Sequence, residues 1–162
     1  MQRAGFTLVE SIIYIGIVGL LAVGLIYYSA STSSLGTKLS VASEVHANAR
    51  ALVDVIVRTT RSADEIGPLT VYNSDSGSLQ LLMEDSLENP TTVYRTPGGS
   101  VEITRGAGLP SRLTSQKVSV SKLRFTPIGP TIRVEIEMEY RDAGSKEYEY
   151  RYSLSTTVMP RK

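Results

Sequence analysis

The sequence predicts an α+β fold, in which one long N-terminal helix, membrane-embedded over its first half, packs with its second half against an antiparallel β-sheet. Between Glu10 and Lys38 the chain contains no aspartate, glutamate, lysine, arginine or histidine. Apolar residues then recur at helical steps up to residue 66. Beyond Pro68 the apolar period falls to that of strands. The predicted divisions are a membrane helix at 6–28, an amphipathic stalk helix at 29–66 and a sheet domain at 67–162.

The apolar run at 11–28 is long enough to cross a membrane. At about 1.5 Å per residue, this run and its flanks span roughly the 30 Å hydrocarbon layer. Tyr27 and Tyr28 end the run, where an aromatic belt would meet the outer interface. Arg3 precedes the run, so the positive-inside rule predicts a cytoplasmic N-terminus and an extracytoplasmic sheet domain.

Two simpler interpretations of this run stay open. A secretory signal peptide also has a basic start and an apolar stretch, and residues 29–31 are small enough for cleavage, but the run exceeds the usual core of about 7–15 residues. A plain single-pass anchor leaves Glu10 unexplained. A carboxylate inside a bilayer costs roughly 2.5–3.5 kcal/mol, so one that is kept normally has a partner.

The residues around Glu10 form a recognisable motif. Gly5-Phe6-Thr7-Leu8-Val9-Glu10, followed at once by an apolar helix, resembles the prepilin signature of type IV pilins and pseudopilins. The resemblance implies that a membrane aspartyl peptidase, the prepilin peptidase, removes a leader at 1–5 and that the new terminal amine on Phe6 is N-methylated. It also implies that Glu10 forms a salt bridge with the terminal amine of a neighbouring subunit, since two charges that are costly in lipid are tolerated as a pair.

The resemblance implies a structural subunit and no enzyme. The short strands and Leu123-Arg124-Phe125 before a strong hairpin are similar to J-type minor pseudopilins of type II secretion and to minor pilins of type IV pili. Such a subunit would start or cap a filament, and its partners would be sister subunits, the lipid bilayer, and an inner-membrane assembly platform on which a motor ATPase acts. It would lie in the inner membrane, and in the filament it would be periplasmic or at the cell surface. The alternatives are a membrane-anchored extracytoplasmic binding domain and a competence pilin for DNA uptake.

The helical period continues through the stalk at 29–66. The apolar stripe consists of Leu35, Leu39, Ala42, Val45, Ala49, Leu52, Ile56 and Ala63, widened by Val53 and Val57. Gly67 and Pro68 are expected to end the helix, because proline cannot continue its hydrogen bonding. A heptad coiled coil is the competing interpretation, disfavoured by the many alanines and the short stripe. His46 lies among polar neighbours and is expected to be a solvated side chain and not a ligand.

The domain at 67–162 contains alternating segments bounded by turn residues. The predicted strands are 69–73, 79–84, 91–95, 100–104, 118–125, 131–140 and 147–158. In the last two, the apolar residues occupy even positions, so the two apolar faces coincide only in registers that pair even residues with even ones. Avoiding like-charge pairs selects the register with Tyr140 opposite Tyr148 and a loop at 142–146. That register keeps one glutamate pair, Glu139 against Glu149, and offers Glu137 a salt bridge with Arg151.

The outer face of this hairpin is acidic, carrying Glu135, Glu137, Glu139, Glu147 and Glu149. A solvated face is favoured over a basic partner or a cation site. Residues 73–77 have some likeness to a calcium loop but lack the later acidic ligands, so a turn is expected.

Composition bears on several classes of function. The net charge of +1 gives no reason to expect attraction to nucleic acid. The chain contains no cysteine, which excludes disulfides and thiolate metal sites. No Ser-His-Asp arrangement, catalytic carboxylate pair or phosphate-binding loop is visible in the sequence, so no catalytic residue, metal or cofactor is expected.

Overall fold

The computed structural model describes residues 7–141 and 149–161. Its α+β fold confirms the predicted class, with one long helix, α1 (Leu8–Ser62), preceding the strands. The predicted membrane and stalk helices are parts of this single element, while the leader at 1–5 lies outside the described residues. The chain divides into two compact units, the first ending at Leu39 and the second beginning at Ser40.

Helix α1 ends at Ser62, earlier than the predicted residue 66. The amide of Asp64 donates to the carbonyl of Leu82 at 3.0 Å, and strand β1 (Glu65–Ile66) then pairs with the next strand. The predicted end was wrong because it was placed at the first helix-breaking residues, Gly67 and Pro68, whereas the backbone leaves the helix four residues earlier. The backbone of Ile66 instead extends the edge of a sheet.

The first sheet is an antiparallel meander. It comprises β1, β2 (Ser78–Leu82), β3 (Thr91–Arg95), β4 (Val101–Arg105) and β5 (Ser111–Arg112), in that spatial order. The predicted strands at 79–84, 91–95 and 100–104 are confirmed as β2 to β4. Strands β1 and β5 were not predicted, because two residues are too few to show an alternation of apolar and polar side chains.

The predicted strand at 69–73 does not form. The amide of Thr70 donates to the carbonyl of Gly67 at 3.2 Å in a turn, and its hydroxyl accepts a hydrogen bond from the Gln80 amide at 3.1 Å. Only Val71 makes a bridge, to Ser78. The side-chain hydroxyl of Thr70 thus takes the place of a strand hydrogen bond, and the turn begun at Gly67 is not followed by an extended segment.

A second antiparallel sheet completes the domain, so the predicted single sheet is two. It comprises β6 (Val118–Ile128), β7 (Thr131–Tyr140) and β8 (Arg151–Val158), in that order. The pairing of β6 with β7 shifts register between Val120 and Lys122. The two sheets are joined through β6, where the amide of Val120 donates to the carbonyl of Gly99 at 2.7 Å.

The β7–β8 hairpin is confirmed, but its predicted register is wrong. Glu139 lies opposite Arg151, and the amide of Tyr140 donates to the carbonyl of Tyr150 at 3.2 Å. The prediction placed Tyr140 opposite Tyr148. The predicted loop at 142–146 lies outside the described residues.

Charge explains the observed register. Pairing Glu139 with Arg151 removes the like-charge pair with Glu149 that the predicted register retained. The shift also keeps even residues opposite even residues, so the apolar face is unchanged. A register that satisfies both conditions is favoured over one that satisfies only the second.

The core of the second unit lies between α1 and the sheets, which confirms the predicted packing of helix on sheet. Its fully buried members include Val45, Leu52 and Ile56 of α1 and Leu79, Leu81, Val93, Ile103, Leu123, Phe125, Ile132, Val134 and Met138 of the strands. Leu35 and Leu39, predicted as part of the stripe, are 57% and 71% exposed. The buried stripe begins instead at Val41, directly after the boundary between the two units.

Candidate functional site at the amino-terminal helix

Glu10, the predicted assembly residue, lies in the first turn of α1. The helix begins after Thr7, whose side-chain Oγ1 accepts a hydrogen bond from the Glu10 amide at 3.3 Å. The carbonyl of Thr7 accepts from the Ser11 amide at 3.1 Å. Thr7 is therefore the N-cap of α1, and its spacing to Glu10 is that of a capping box. The Thr-x-x-Glu spacing is visible in the sequence, but the prediction for Glu10 overlooked it.

The helix start offers the Glu10 carboxylate only partial compensation in a membrane. A negative charge in the first turn of a helix is favoured by about 0.3–1 kcal/mol, because it faces the positive end of the helix dipole. Placing a carboxylate inside a bilayer costs roughly 2.5–3.5 kcal/mol. The helix start thus offsets only a small part of the free-energy cost of a carboxylate inside a bilayer. At such a depth Glu10 would still need a positively charged partner.

The predicted cleavage and methylation residues, Gly5 and Phe6, lie outside the described residues. What the structure describes of the motif is Thr7 to Glu10, and these residues form the helix start.

The first part of α1 is long and apolar enough to cross a membrane. The segment Leu8–Thr32 is 25 residues long, contains an 18-residue window with a mean hydropathy of 2.3, and is not buried within the structure. At about 1.5 Å per residue it is roughly 37 Å long, against a hydrocarbon layer of about 30 Å. The side chains of Ile15 and Leu20, on different sides of the helix, are 72% and 76% exposed.

This apolar surface needs an apolar environment. Glu10 is the only aspartate, glutamate, lysine, arginine or histidine in Leu8–Thr32. A helix that is apolar all round is normally buried in a protein core or in a membrane. No part of the described chain covers this segment, so its surface is suited to lipid or to contact with other protein molecules.

Polar residues of the stalk hold a loop of the second unit. Asn48 Oδ1 accepts a hydrogen bond from the Ser115 amide at 2.7 Å, and the Ser115 hydroxyl donates to Glu44 Oε1 at 2.9 Å. Asn48 Nδ2 also donates to Glu44 Oε1, at 3.2 Å. These side chains therefore fasten the loop to α1.

His46 is half-buried, so the expectation of a solvated side chain is wrong. The hydroxyl of Tyr150 lies 2.8 Å from His46 Nε2, and the ring of Tyr152 lies 4.3 Å from the imidazole, centroid to centroid. Contacts between residues so far apart in sequence leave no local signal. The histidine serves packing between α1 and the C-terminal strand.

Three glutamates of the acidic hairpin face form ion pairs with cations of their own sheet. Lys122 Nζ lies 2.7 Å from Glu135 Oε2, and Arg151 lies 3.5 Å from Glu137 and 3.4 Å from Glu139. Among residues 7–141 and 149–161, no group of three or more histidine, aspartate or glutamate side chains could hold a metal ion. Glu135, Glu137 and Glu139 are thus paired within the sheet.

The Lys122–Glu135 pair predicts a pH dependence. Hydrogen bonding from Lys122 holds the pKa of the Glu135 carboxyl below its usual value. As the pH falls, the Glu135 carboxyl of the unfolded chain takes up its proton at a higher pH than that of the folded chain. The pair therefore contributes stability above the ordinary carboxyl pKa, and this stability is lost as the pH falls through the lowered pKa. We expect Glu135→Gln to reduce the acid dependence of the unfolding midpoint. An unchanged acid limb in pH-dependent urea melts would contradict the pairing.

The segment at 73–77 is a turn, as predicted. Asp75 forms an ion pair with Arg124 at 2.6 Å. The amide of Asn73 donates to the carbonyl of Phe125 at 2.9 Å, and the amide of Leu123 donates to the carbonyl of Asp75 at 2.8 Å. These bonds fix the segment along β6 and engage its acidic side chain.

Comparisons with protein-family models, with curated proteins and with solved structures found no match to this chain.

Proposed function

We propose that this chain is a pilin-like filament subunit, a minor pilin or pseudopilin that is cut after Gly5 and assembled through its N-terminal helix. The observation that carries the proposal is a lone carboxylate, Glu10, near the start of the exposed apolar segment Leu8–Thr32. A subunit of this kind has a structural role and catalyses no reaction.

The energetics of Glu10 favour a filament over a simple anchor. A simple anchor gains nothing from this carboxylate, and its cost rises with depth toward roughly 2.5–3.5 kcal/mol at the bilayer centre, more than the helix dipole returns. Cleavage after Gly5 creates a terminal amine on Phe6 only a few residues from Glu10. In a filament whose subunits are staggered along their helices, the amine of one subunit is the partner of Glu10 in the next.

The proposed partners follow from the two parts of α1. Before assembly the segment Leu8–Thr32 lies in the inner membrane, with the N-terminus in the cytoplasm and the second unit outside. There it meets the prepilin peptidase and an assembly platform driven by a motor ATPase. In the filament the same apolar surface packs against sister subunits and replaces lipid with protein.

The filament fraction of the host tests this proposal. Filaments sheared or extracted from cells should contain the chain together with sister subunits. A membrane-anchored binding domain would instead remain in the membrane fraction as an unassembled chain, which would contradict the proposal. A competence pilin would assemble and would in addition retain DNA on a filter, a result that the net charge of +1 does not favour.

A further inference from the structure

Strand β8 is the open edge of the second sheet. It pairs with β7 on one side, and it is the last strand in the spatial order. The hydrogen bond from the Tyr140 amide to the Tyr150 carbonyl identifies the even residues as those that face β7. In an antiparallel pair, the backbone groups of the alternate residues then point away from the partner strand.

The outward backbone groups belong to Arg151, Ser153, Ser155 and Thr157. Their side chains are exposed. Within the described part of the chain, no other element hydrogen-bonds with the amides or carbonyls of these four residues. The edge thus offers a row of donors and acceptors to another strand.

This edge lacks the features that normally prevent pairing between proteins. Exposed edges are usually very short, or carry lysine, proline, a bulge or an inward charge. Strands β1 and β5 at the edges of the first sheet are only 2 residues each. Strand β8 is 8 residues long, has no lysine, proline or glycine, and carries one charge, Arg151. That charge is already paired with Glu137 and Glu139.

We propose that the β8 edge binds the β8 edge of a second copy of this chain, in an antiparallel pair centred on Leu154. This register alone pairs all four outward residues: Ser153 lies opposite Ser155 of the other copy, and Arg151 opposite Thr157. No charged residue faces a like charge directly. The contact is isologous, as expected for a two-fold dimer.

Both faces of the paired strands match in this register. The half-buried residues Tyr152, Leu154 and Thr156 lie on the side of the core. Leu154 meets Leu154 of the second copy, and Tyr152 meets Thr156, so the apolar side of the sheet continues across the pair. A foreign strand would have to reproduce this pattern of alternating apolar and small polar residues, which β8 itself already has.

A single cysteine tests the pairing, since the chain contains none of its own. In an antiparallel pair, residues at a non-hydrogen-bonded position have Cα atoms about 4.5 Å apart, which a disulfide can bridge. The full-length Leu154→Cys chain in dilute detergent micelles should form a disulfide-linked dimer on mild oxidation. Ser111→Cys, on the short exposed edge strand β5, is the matched control and should stay monomeric. Equal dimer formation by the two variants would overturn the proposal.

A proline variant tests the role of the backbone. Because the Ser155 amide points outward, Ser155→Pro removes a donor from the edge but none from the β7–β8 ladder. In the Leu154→Cys background it should abolish the dimer while the melting temperature of the monomer is retained. Thr156→Pro, which removes a ladder amide, should lower the melting temperature. A dimer that survives Ser155→Pro would contradict pairing through the edge.

The identity of the occupant is read from the mass of the cross-linked product. A product of twice the chain mass supports a second copy, whereas a Leu154→Cys adduct with a different protein in cells would overturn that assignment. The pairing does not depend on cleavage at Gly5. It can therefore fail while the proposed filament function stands, and the reverse is also true.

Discussion

Replacing Leu52 with alanine should lower the free energy of unfolding of a soluble fragment, residues 32–162, by about 2–5 kcal/mol. Leu52 is fully buried in the core between α1 and the sheets. The substitution removes a large apolar side chain and leaves a cavity that neighbouring strands cannot fill without strain. Urea unfolding, followed by circular dichroism, measures the effect. The fragment itself should unfold cooperatively, because none of Leu8–Thr32 is buried within the structure.

Leu39→Ala is the matched control, since it removes the same side chain from the same helix. Leu39 is 71% exposed, so its loss should change the free energy of unfolding by about 0.5 kcal/mol or less. Similar effects of the two substitutions would contradict the packing of the stalk on the sheets. A fragment with no cooperative transition would contradict an independent core in the second unit.

Replacing Glu10 with glutamine should reduce recovery of the chain in the filament fraction by roughly a hundredfold. In the proposed filament, the glutamine would leave the terminal amine of the neighbouring subunit without its carboxylate, at a cost of about 2.5–3.5 kcal/mol in lipid-like surroundings. It keeps a side chain suited to a capping box, so the helix start is retained. Quantitative immunoblotting of the filament and membrane fractions measures the change.

Thr7→Ala separates the charge of Glu10 from its place at the helix start. This substitution removes the oxygen that accepts the Glu10 amide but leaves the carboxylate. Assembly should fall far less than with Glu10→Gln, since an N-cap contributes about 1 kcal/mol. If Thr7→Ala abolished assembly and Glu10→Gln did not, the effect would belong to capping and the salt bridge would be refuted.

Much of the fold could be predicted because its strands alternate clearly. Strand β7 was predicted with its observed bounds, since Ile132, Val134, Ile136 and Met138 alternate with polar residues and are buried. The register of β8 could not be fixed from that pattern, because a shift by two residues leaves the faces unchanged. The ion pairs of Arg151 with both Glu137 and Glu139 supplied the missing constraint.

The end of the helix and the start of its buried stripe also differ from the prediction. Ile66 directly precedes the predicted helix stop at Gly67 and Pro68, yet its backbone pairs in β1. Leu35 and Leu39 fit the same apolar period as the buried residues, although they precede the second unit, which begins at Ser40. Both are exposed, so periodicity could not tell a buried leucine from an exposed one. Periodicity reports the face of a helix and not what lies against it.

Of the candidate site, the sequence predicted Glu10, because this residue is an isolated charge beside an apolar segment. Glu10 stands out in the sequence because it is the one charged side chain between Arg3 and Lys38. The N-cap role of Thr7 had a local signal, the Thr-x-x-Glu spacing, which the prediction did not use. The stalk contacts of His46 and Asn48 had no such signal, since their partners lie in distant parts of the chain.

The intact mass of the chain extracted from host membranes tests the filament proposal most directly, because the salt bridge requires an amine on Phe6. We expect the mass of a chain that begins at Phe6 and carries one added methyl group. A chain that retains Met1 would contradict processing and support a plain membrane anchor. A chain that begins at Ser31 would identify the apolar segment as a cleaved signal peptide and refute the proposal.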